Sequence, residues 1–134
     1  MYKLSIVTPE KVFYEGDVSS LIVPGTEGYL GVLTDHAPLI TATVPGKVMC
    51  RDCDGNELAM ASSFGFFEVS ANHATLLVDS VEFASDIDLE RAREALERAK
   101  QRMADEAGNI DLVRAQRAVD RARNRIKVVE NTQG

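Results

Sequence analysis

At 134 residues with two cysteines, the chain is long enough for one self-supporting domain with an appendage, and it lacks a disulfide framework. Its 45% hydrophobic and 27% charged content excludes a disordered chain, and no apolar run approaches the ~18 residues that cross a bilayer. The net charge of -6 hides an asymmetry, since residues 1–85 carry 4 Lys/Arg against 11 Asp/Glu and residues 86–134 carry 11 against 10, which marks a boundary between two domains.

The first segment, Met1 to Val7, alternates apolar and polar side chains and has no long apolar core before a cleavage site, so a signal peptide is not expected. Two cysteines point to a reducing compartment by default. Up to residue 85 the hydrophobic period stays near two, in short runs at Leu4 to Thr8, Leu21 to Val23, Val32-Leu33 and Leu39 to Val44. Punctuation falls at Pro9, Gly16, Pro24-Gly25, Pro45-Gly46 and Asp54-Gly55. Short β segments at this spacing predict a sandwich or barrel of eight to ten strands. Asp54-Gly55 predicts a hairpin with a type I′ turn, and "FGFFEVSANHATLLVDS" predicts a second hairpin turning at Ala71-Asn72-His73.

Within the β region, "GTEGYLGVLTDHAPLI" (25–40) raises a specific question, because three glycines in seven residues suggest a phosphate cradle. Such a loop runs into a helix and ends in Gly-Lys-Ser/Thr. Here the glycines stand three apart, no lysine follows, and "YLGVL" continues as a strand. Gly25, Gly28 and Gly31 are therefore assigned to turns and bulges. Pro38 is expected to hold Ala37 extended and leave Thr34, Asp35 and His36 displayed at a sheet end.

From Ser85 the period becomes helical. "DIDLERAREALERA" (86–99) and "NIDLVRAQRAVDRA" (109–122) are identical at 8 of 14 positions. An Asp or Asn opens each segment, suited to accept from the free N–H groups of a first turn. Leu89, Ala92, Leu96, Ala99 and Met103 keep a 3-4 spacing, as do Leu112, Ala115, Val119, Ala122 and Ile126, followed by Val129. These are the seams of two short coiled-coil helices. "ADEAGN" (104–109) is the expected turn, with Gly108 as helix stop. The overall expectation is an α+β chain: a β-sandwich over 1–85 and an antiparallel helical hairpin over 86–134. Alanine at alternate seam positions buries little area, so the hairpin is expected to rest on the sheet and to leave it at modest cost.

The chemistry-bearing residues are few. Cys50-x-x-Cys53 has no second ligand pair, and on a strand the two thiols face opposite sides, so no metal is expected. There is no Gly-x-Ser-x-Gly, no His-Glu-x-x-His and no nucleophile beside an evident base; a catalytic role is not expected. Glu82, Asp86 and Asp88 gather near the boundary, where acidic residues favour a helix N-terminus. Arg114, Arg117, Arg121, Arg123, Arg125 and Lys127 stand against one acid, Asp120, over 114–127. The acidic balance and the lack of interleaved aromatics exclude nucleic acid as the expected partner. The remaining readings are a solvated helix face, an acidic protein partner, or capture of a nucleotide phosphate.

Taken together, "LSIVTPEKVFYEGDV", "GTEGYLGVLTDHAPLITATVPGKV", "FGFFEVSANHATLLVD" and the closing arginine-rich helix resemble the epsilon subunit family of F-type ATP synthases, in order and over essentially the whole chain. The resemblance implies a ten-stranded sandwich followed by a helical hairpin. It implies a non-catalytic rotor subunit whose sandwich binds the gamma subunit and sits on the ring of c subunits. Gly28, Tyr29, Leu30, Thr34, Asp35, His36, Ala37 and Pro38 would then face the ring; Tyr29 replaces an acidic residue common in the family. The hairpin would act as a brake, extending so that its basic residues meet acidic loops of the beta and alpha subunits and inhibit ATP hydrolysis. No cofactor is required, with ATP as a regulatory ligand in some members. By that pattern Glu82, Ile87, Asp88 and Ala92 would hold base and ribose, and Arg91, Arg121 and Arg125 the phosphates. Membrane attachment would come only through the complex, at the cytoplasmic face of a bacterial plasma membrane or, second, at a thylakoid. A free-standing ATP sensor built on the same hairpin is the alternative.

Overall fold

The computed structural model describes residues 1–105 and 112–133. Nine strands are present among the described residues: β1 (Tyr2–Val7), β2 (Val12–Gly25), β3 (Gly28–Val32), β4 (Leu39–Thr43), β5 (Gly46–Asp52), β6 (Glu57–Ser62), β7 (Gly65–Ser70), β8 (His73–Val78) and β9 (Val81–Phe83). A 3-10 turn over Ala84–Asp86 precedes helices α1 (Leu89–Asp105) and α2 (Leu112–Gln133). The chain divides into two compact units, Met1–Phe83 and Ala84–Gly134.

The first unit is a β-sandwich organised by β2. Its first half pairs antiparallel with β1, and its second half pairs with β5 and β3. One layer therefore reads β4-β7-β8-β1-β2 and the other β9-β6-β5-β2-β3, with β1 and β8 running parallel. Alternation does the sorting. Tyr2, Leu4 and Ile6 point inward from β1, where they meet Val18, Leu21, Val48, Met60, Phe67 and Leu76, all at 4% exposure or less. Two glycines admit close contacts between strands: a Cβ on Gly46 would lie 2.7 Å from Pro24 Cγ, and one on Gly65 would collide with the Leu77–Val78 backbone.

Both expected hairpins form, but the type I′ turn expected at Asp54-Gly55 is not found there. Between β5 and β6, Gly55 alone takes a positive φ of 84. The Asp52 carboxylate accepts from Asp54 N–H and Asn56 N–H, both at 2.9 Å, and Gly55 N–H reaches Asp52 O. This is a type I turn closed by a glycine bulge. The type I′ turn belongs instead to β7–β8, where Ala71 (φ 49) and Asn72 (φ 60) are the two central residues and His73 already pairs with Ser70.

In the second unit, Asp88 rather than Asp86 caps α1: its Oδ1 accepts from Arg91 N–H at 3.2 Å. Asp86 is occupied in the 3-10 turn, which packs against α2. Helix α1 continues through Ala104 and Asp105, the first two residues of the expected turn, and the rest of that turn, with Gly108, lies outside the described residues. The helices are antiparallel, since Arg93 near the start of α1 bridges Glu130 near the end of α2 at 3.6 Å. Along the seam the buried residues are all small, Ala92, Ala115, Val119, Ala122 and Val129, joined by Val128, while Ala99 is half-buried. Leu89, Leu96, Met103 and Ile126 are only half-buried.

Candidate functional site

The stretch 25–40 forms one edge of the sandwich. Gly25 and Gly28 close a two-residue turn at Thr26-Glu27, with Gly28 at φ 122, so these glycines serve a hairpin. Gly31 lies inside β3, opposite Ile22. Tyr29 is 63% exposed, its hydroxyl accepting from Lys47 N–H at 3.3 Å, while Leu30 packs partly against the core. After β3, His36 N–H reaches Leu33 O at 3.3 Å and closes a turn with Asp35 at φ 64. Thr34, Asp35, Ala37 and Pro38 are exposed, and His36 is half-buried with Nδ1 2.7 Å from Ala37 O. The Gly28–Leu30 hairpin and the 34–38 loop stand at opposite ends of β3, about 16 Å apart by strand rise. A partner touching both must run along that edge.

Two remote contacts hold this loop. The buried Tyr2 hydroxyl donates to Val32 O at 2.6 Å where β3 ends. Asn72 Oδ1 accepts from Asp35 N–H at 3.2 Å.

The outward face of the β4-β7-β8-β1-β2 layer carries a feature the sequence reading missed. Register aligns Ala42, Phe66, Leu77, Val7 and Val12 in one cross-strand row. Ile40 lies beside it at 73% exposure, with Phe66 at 61%, Val12 at 56% and Leu77 at 50%. The next two rows are polar and charged: Glu68, Thr75, Ser5 and Glu15, followed by Ser70, His73, Lys3 and Asp17. Lys3 Nζ meets Glu15 at 2.7 Å; that contact raises the lysine's pKa and lowers the carboxylate's. Contiguous exposed apolar side chains of this size mark an interaction surface. The available signal was the doubled apolar pairs Phe66-Phe67 and Leu76-Leu77, which must set one member of each on the outer face.

The helical residues singled out from the sequence divide between the units. Glu82 sits on β9 in the sandwich, paired with Ala61, whereas Ile87, Asp88, Arg91, Ala92, Arg121 and Arg125 belong to the helical unit. Ile87 and Ala92 are buried, Arg91 and Arg121 exposed, and Arg125 half-buried. Arg114, Arg117, Arg123 and Lys127 are exposed along α2. Asp120 accepts from Gln116 at 3.0 Å. Cys50 is buried, its thiol pushed up to about 11 by burial and then by Asp52, and Cys53 is exposed. Among the described residues no cluster of His, Cys, Asp and Glu is arranged to hold a metal, and no helix is long and apolar enough to cross a membrane.

Residues 1–84 match the family model described as ATP synthase, Delta/Epsilon chain, beta-sandwich domain, and residues 85–130 match the ATP synthase, Delta/Epsilon chain, long alpha-helix domain. These matches define the class: a delta/epsilon-type chain of sandwich plus long helices. The chain is 44% identical over 102 residues to the ATP synthase epsilon chain of Moorella thermoacetica, covering 76% of each. It is 41% identical over 128 residues to that of Desulforamulus reducens, covering 96% of each. The chain belongs to the ATP synthase epsilon chain family. Its fold is also that of a chain in the Euglena gracilis mitochondrial ATP synthase structure (TM-score 0.74, 21% identity, 98% of this chain and 80% of that one).

Proposed function

We propose that this chain is a non-catalytic central-stalk subunit of an F-type ATP synthase, peripheral at the cytoplasmic face of a bacterial plasma membrane and held there by its complex. The observation that carries the reading is the apolar row through Phe66 and Leu77 on a family-typical sandwich. An exposed face of this kind in an epsilon chain is suited to the gamma subunit. The β3 edge, with Gly28 to Leu30 and Thr34 to Pro38, would face the c-ring, its exposed side chains reaching a partner that lies along the strand. The bacterial relatives support the location.

The helical unit would act as the regulator. A seam of alanine and valine lets two helices separate at low cost, and a ligand that prefers one arrangement shifts such an equilibrium. Extended, the basic face of α2 would meet acidic loops of the beta and alpha subunits and restrain hydrolysis. The Ile87-Asp88-Leu89-Glu90-Arg91-Ala92 segment, with Arg121 and Arg125, would hold ATP between the two helices by the family pattern.

Binding of isolated gamma subunit to the Phe66→Glu/Leu77→Glu chain tests the docking half. The affinity should fall at least about a hundredfold, as for loss of a central apolar anchor. Undiminished binding would remove gamma from this face. Hydrolysis by the complex reconstituted with the full chain or with residues 1–85 tests the brake; equal rates would remove it. Tight ATP binding by a chain with no affinity for gamma would favour the free-standing sensor.

A further inference from the structure

The geometry points to Asn72 as the positioning residue of the 34–38 loop, an inference that rests on the proposal above that this loop is a docking surface. The loop has little internal support. Its described backbone bond is the single His36-to-Leu33 turn contact, and Asp35 takes a left-handed φ of 64, which L-residues adopt at a cost. A solvent loop of this kind must be ordered when a partner lands on it, and the ordering subtracts from affinity.

Asn72 supplies order from a rigid footing. It occupies the second position of the two-residue β7–β8 turn, and the flanking strands are anchored by Val69 and Ala74, both in the core. Its side-chain oxygen accepts from Asp35 N–H, and its side-chain nitrogen donates to Met1 O, each at 3.2 Å. The loop, the turn and the start of β1 are thereby pinned at one point. Only one orientation of the amide serves both contacts, because an N–H must meet oxygen and a C=O must meet nitrogen.

The turn asks for a residue that tolerates positive φ, as asparagine and glycine both do, and by itself it makes no use of the side-chain amide. Its backbone needs positive φ at both positions, which glycine meets more easily, and Ala71 occupies the first at φ 49. What asparagine adds is an acceptor and a donor used together. Aspartate keeps the acceptor and loses the donor; glycine loses both.

The test uses the full chain with Asn72→Gly and Asn72→Asp. Glycine relaxes the turn backbone while removing the amide, so both variants should fold, as checked by thermal melting. Exchange of the Asp35 amide should quicken about three- to tenfold in Asn72→Gly, the factor carried by one net hydrogen bond, and stay near the parent rate in Asn72→Asp. Affinity for a detergent-solubilised c-ring should drop by a similar factor in Asn72→Gly only. Phe66→Glu should leave Asp35 exchange unchanged. Unchanged Asp35 exchange in Asn72→Gly overturns the brace. Faster exchange with undiminished ring affinity overturns its role in docking. A parent chain that ignores the ring overturns the docking reading itself, whatever Asn72 does.

Discussion

The sandwich buries Phe67, Leu4, Ile6, Leu21, Met60 and Leu76 completely, whereas the helical hairpin buries Ala92, Ala115, Val119, Ala122, Val128 and Val129 and leaves Leu89, Leu96 and Met103 half in water. Apolar burial stabilises in proportion to area, so the two units differ in strength per residue more than their similar helix and strand regularity suggests. Strands also close on one another through long-range pairs, as in β1 with β8, while the hairpin closes on its own neighbour in sequence. The lesson is a division of labour: a rigid platform with exposed faces, and an element whose packing is thin enough to change.

The widest separation between the units is expected from truncating their largest inward side chains. Phe67→Ala should cost about 3–5 kcal/mol, a large share of a small domain's stability, because it opens a cavity between two layers. Tyrosine fluorescence during denaturant unfolding measures it, since tyrosines occur only in the sandwich. Leu96→Ala, followed by helix circular dichroism, should cost about 1–2 kcal/mol, as its side chain is already half solvated. Equal costs would mean that the seam is as well packed as the sandwich, and the contrast would fall.

How far these differences could be read in advance follows from what each residue meets. Leu4 and Ile6 declare their side by alternation, and the repeated Ile-Asp-x-x-Arg-Ala segments declare their helices by period. Asp88 was harder to pick than Asp86, because both precede the helix and only the backbone path decides which one reaches a free N–H. Turn chemistry misled in the same way. Asp54-Gly55 carries the stronger local signal, yet the Asp52 carboxylate captures two backbone N–H groups and sets a type I turn there. The 14-residue span of β2 across both layers reads in sequence as several short runs, since each half has a different partner. Asn72 was legible as a turn residue and illegible as a brace; its partners lie 37 and 71 positions away.

Alkaline titration sharpens the comparison from the sandwich side. Burial, and then the nearby Cys50, push the Tyr2 hydroxyl up to about 12, and burial pushes the Cys50 thiol up to about 11. In the unfolded chain these groups release protons near their ordinary values of 10.0 and 9.0. The folded state therefore holds more protons across that window. Stability is fully present below about pH 9 and declines as pH rises toward 12, which follows from proton linkage. Tyr2→Phe should flatten the upper part of the decline while costing about 1 kcal/mol at neutral pH for the lost bond to Val32 O. The parallel decline should be absent from the hairpin signal. A Tyr2→Phe chain with an unchanged alkaline slope would show that the hydroxyl is not the group responsible.

The smallest expected effect separates charge from packing within the hairpin. Arg93 bridges Glu90 at 3.2 Å and Glu130 at 3.6 Å, all three side chains being half exposed or more. Exposed pairs of this kind contribute about 0.2–1 kcal/mol and are screened by salt. Arg93→Gln should therefore lower hairpin stability by no more than that at low ionic strength, and by almost nothing at about 1 M salt, where the screening length shrinks to about 3 Å. A double-mutant cycle with Glu130→Gln isolates the contact between helices, because the loss of the Glu90 pair is common to Arg93→Gln and the double variant and cancels. A coupling above about 1 kcal/mol that survives high salt would reassign the closure of the hairpin from its alanine–valine seam to this bridge. The element would then open by breaking one salt-resistant contact between Arg93 and Glu130, and substitutions there, rather than in the seam, would set the cost of opening.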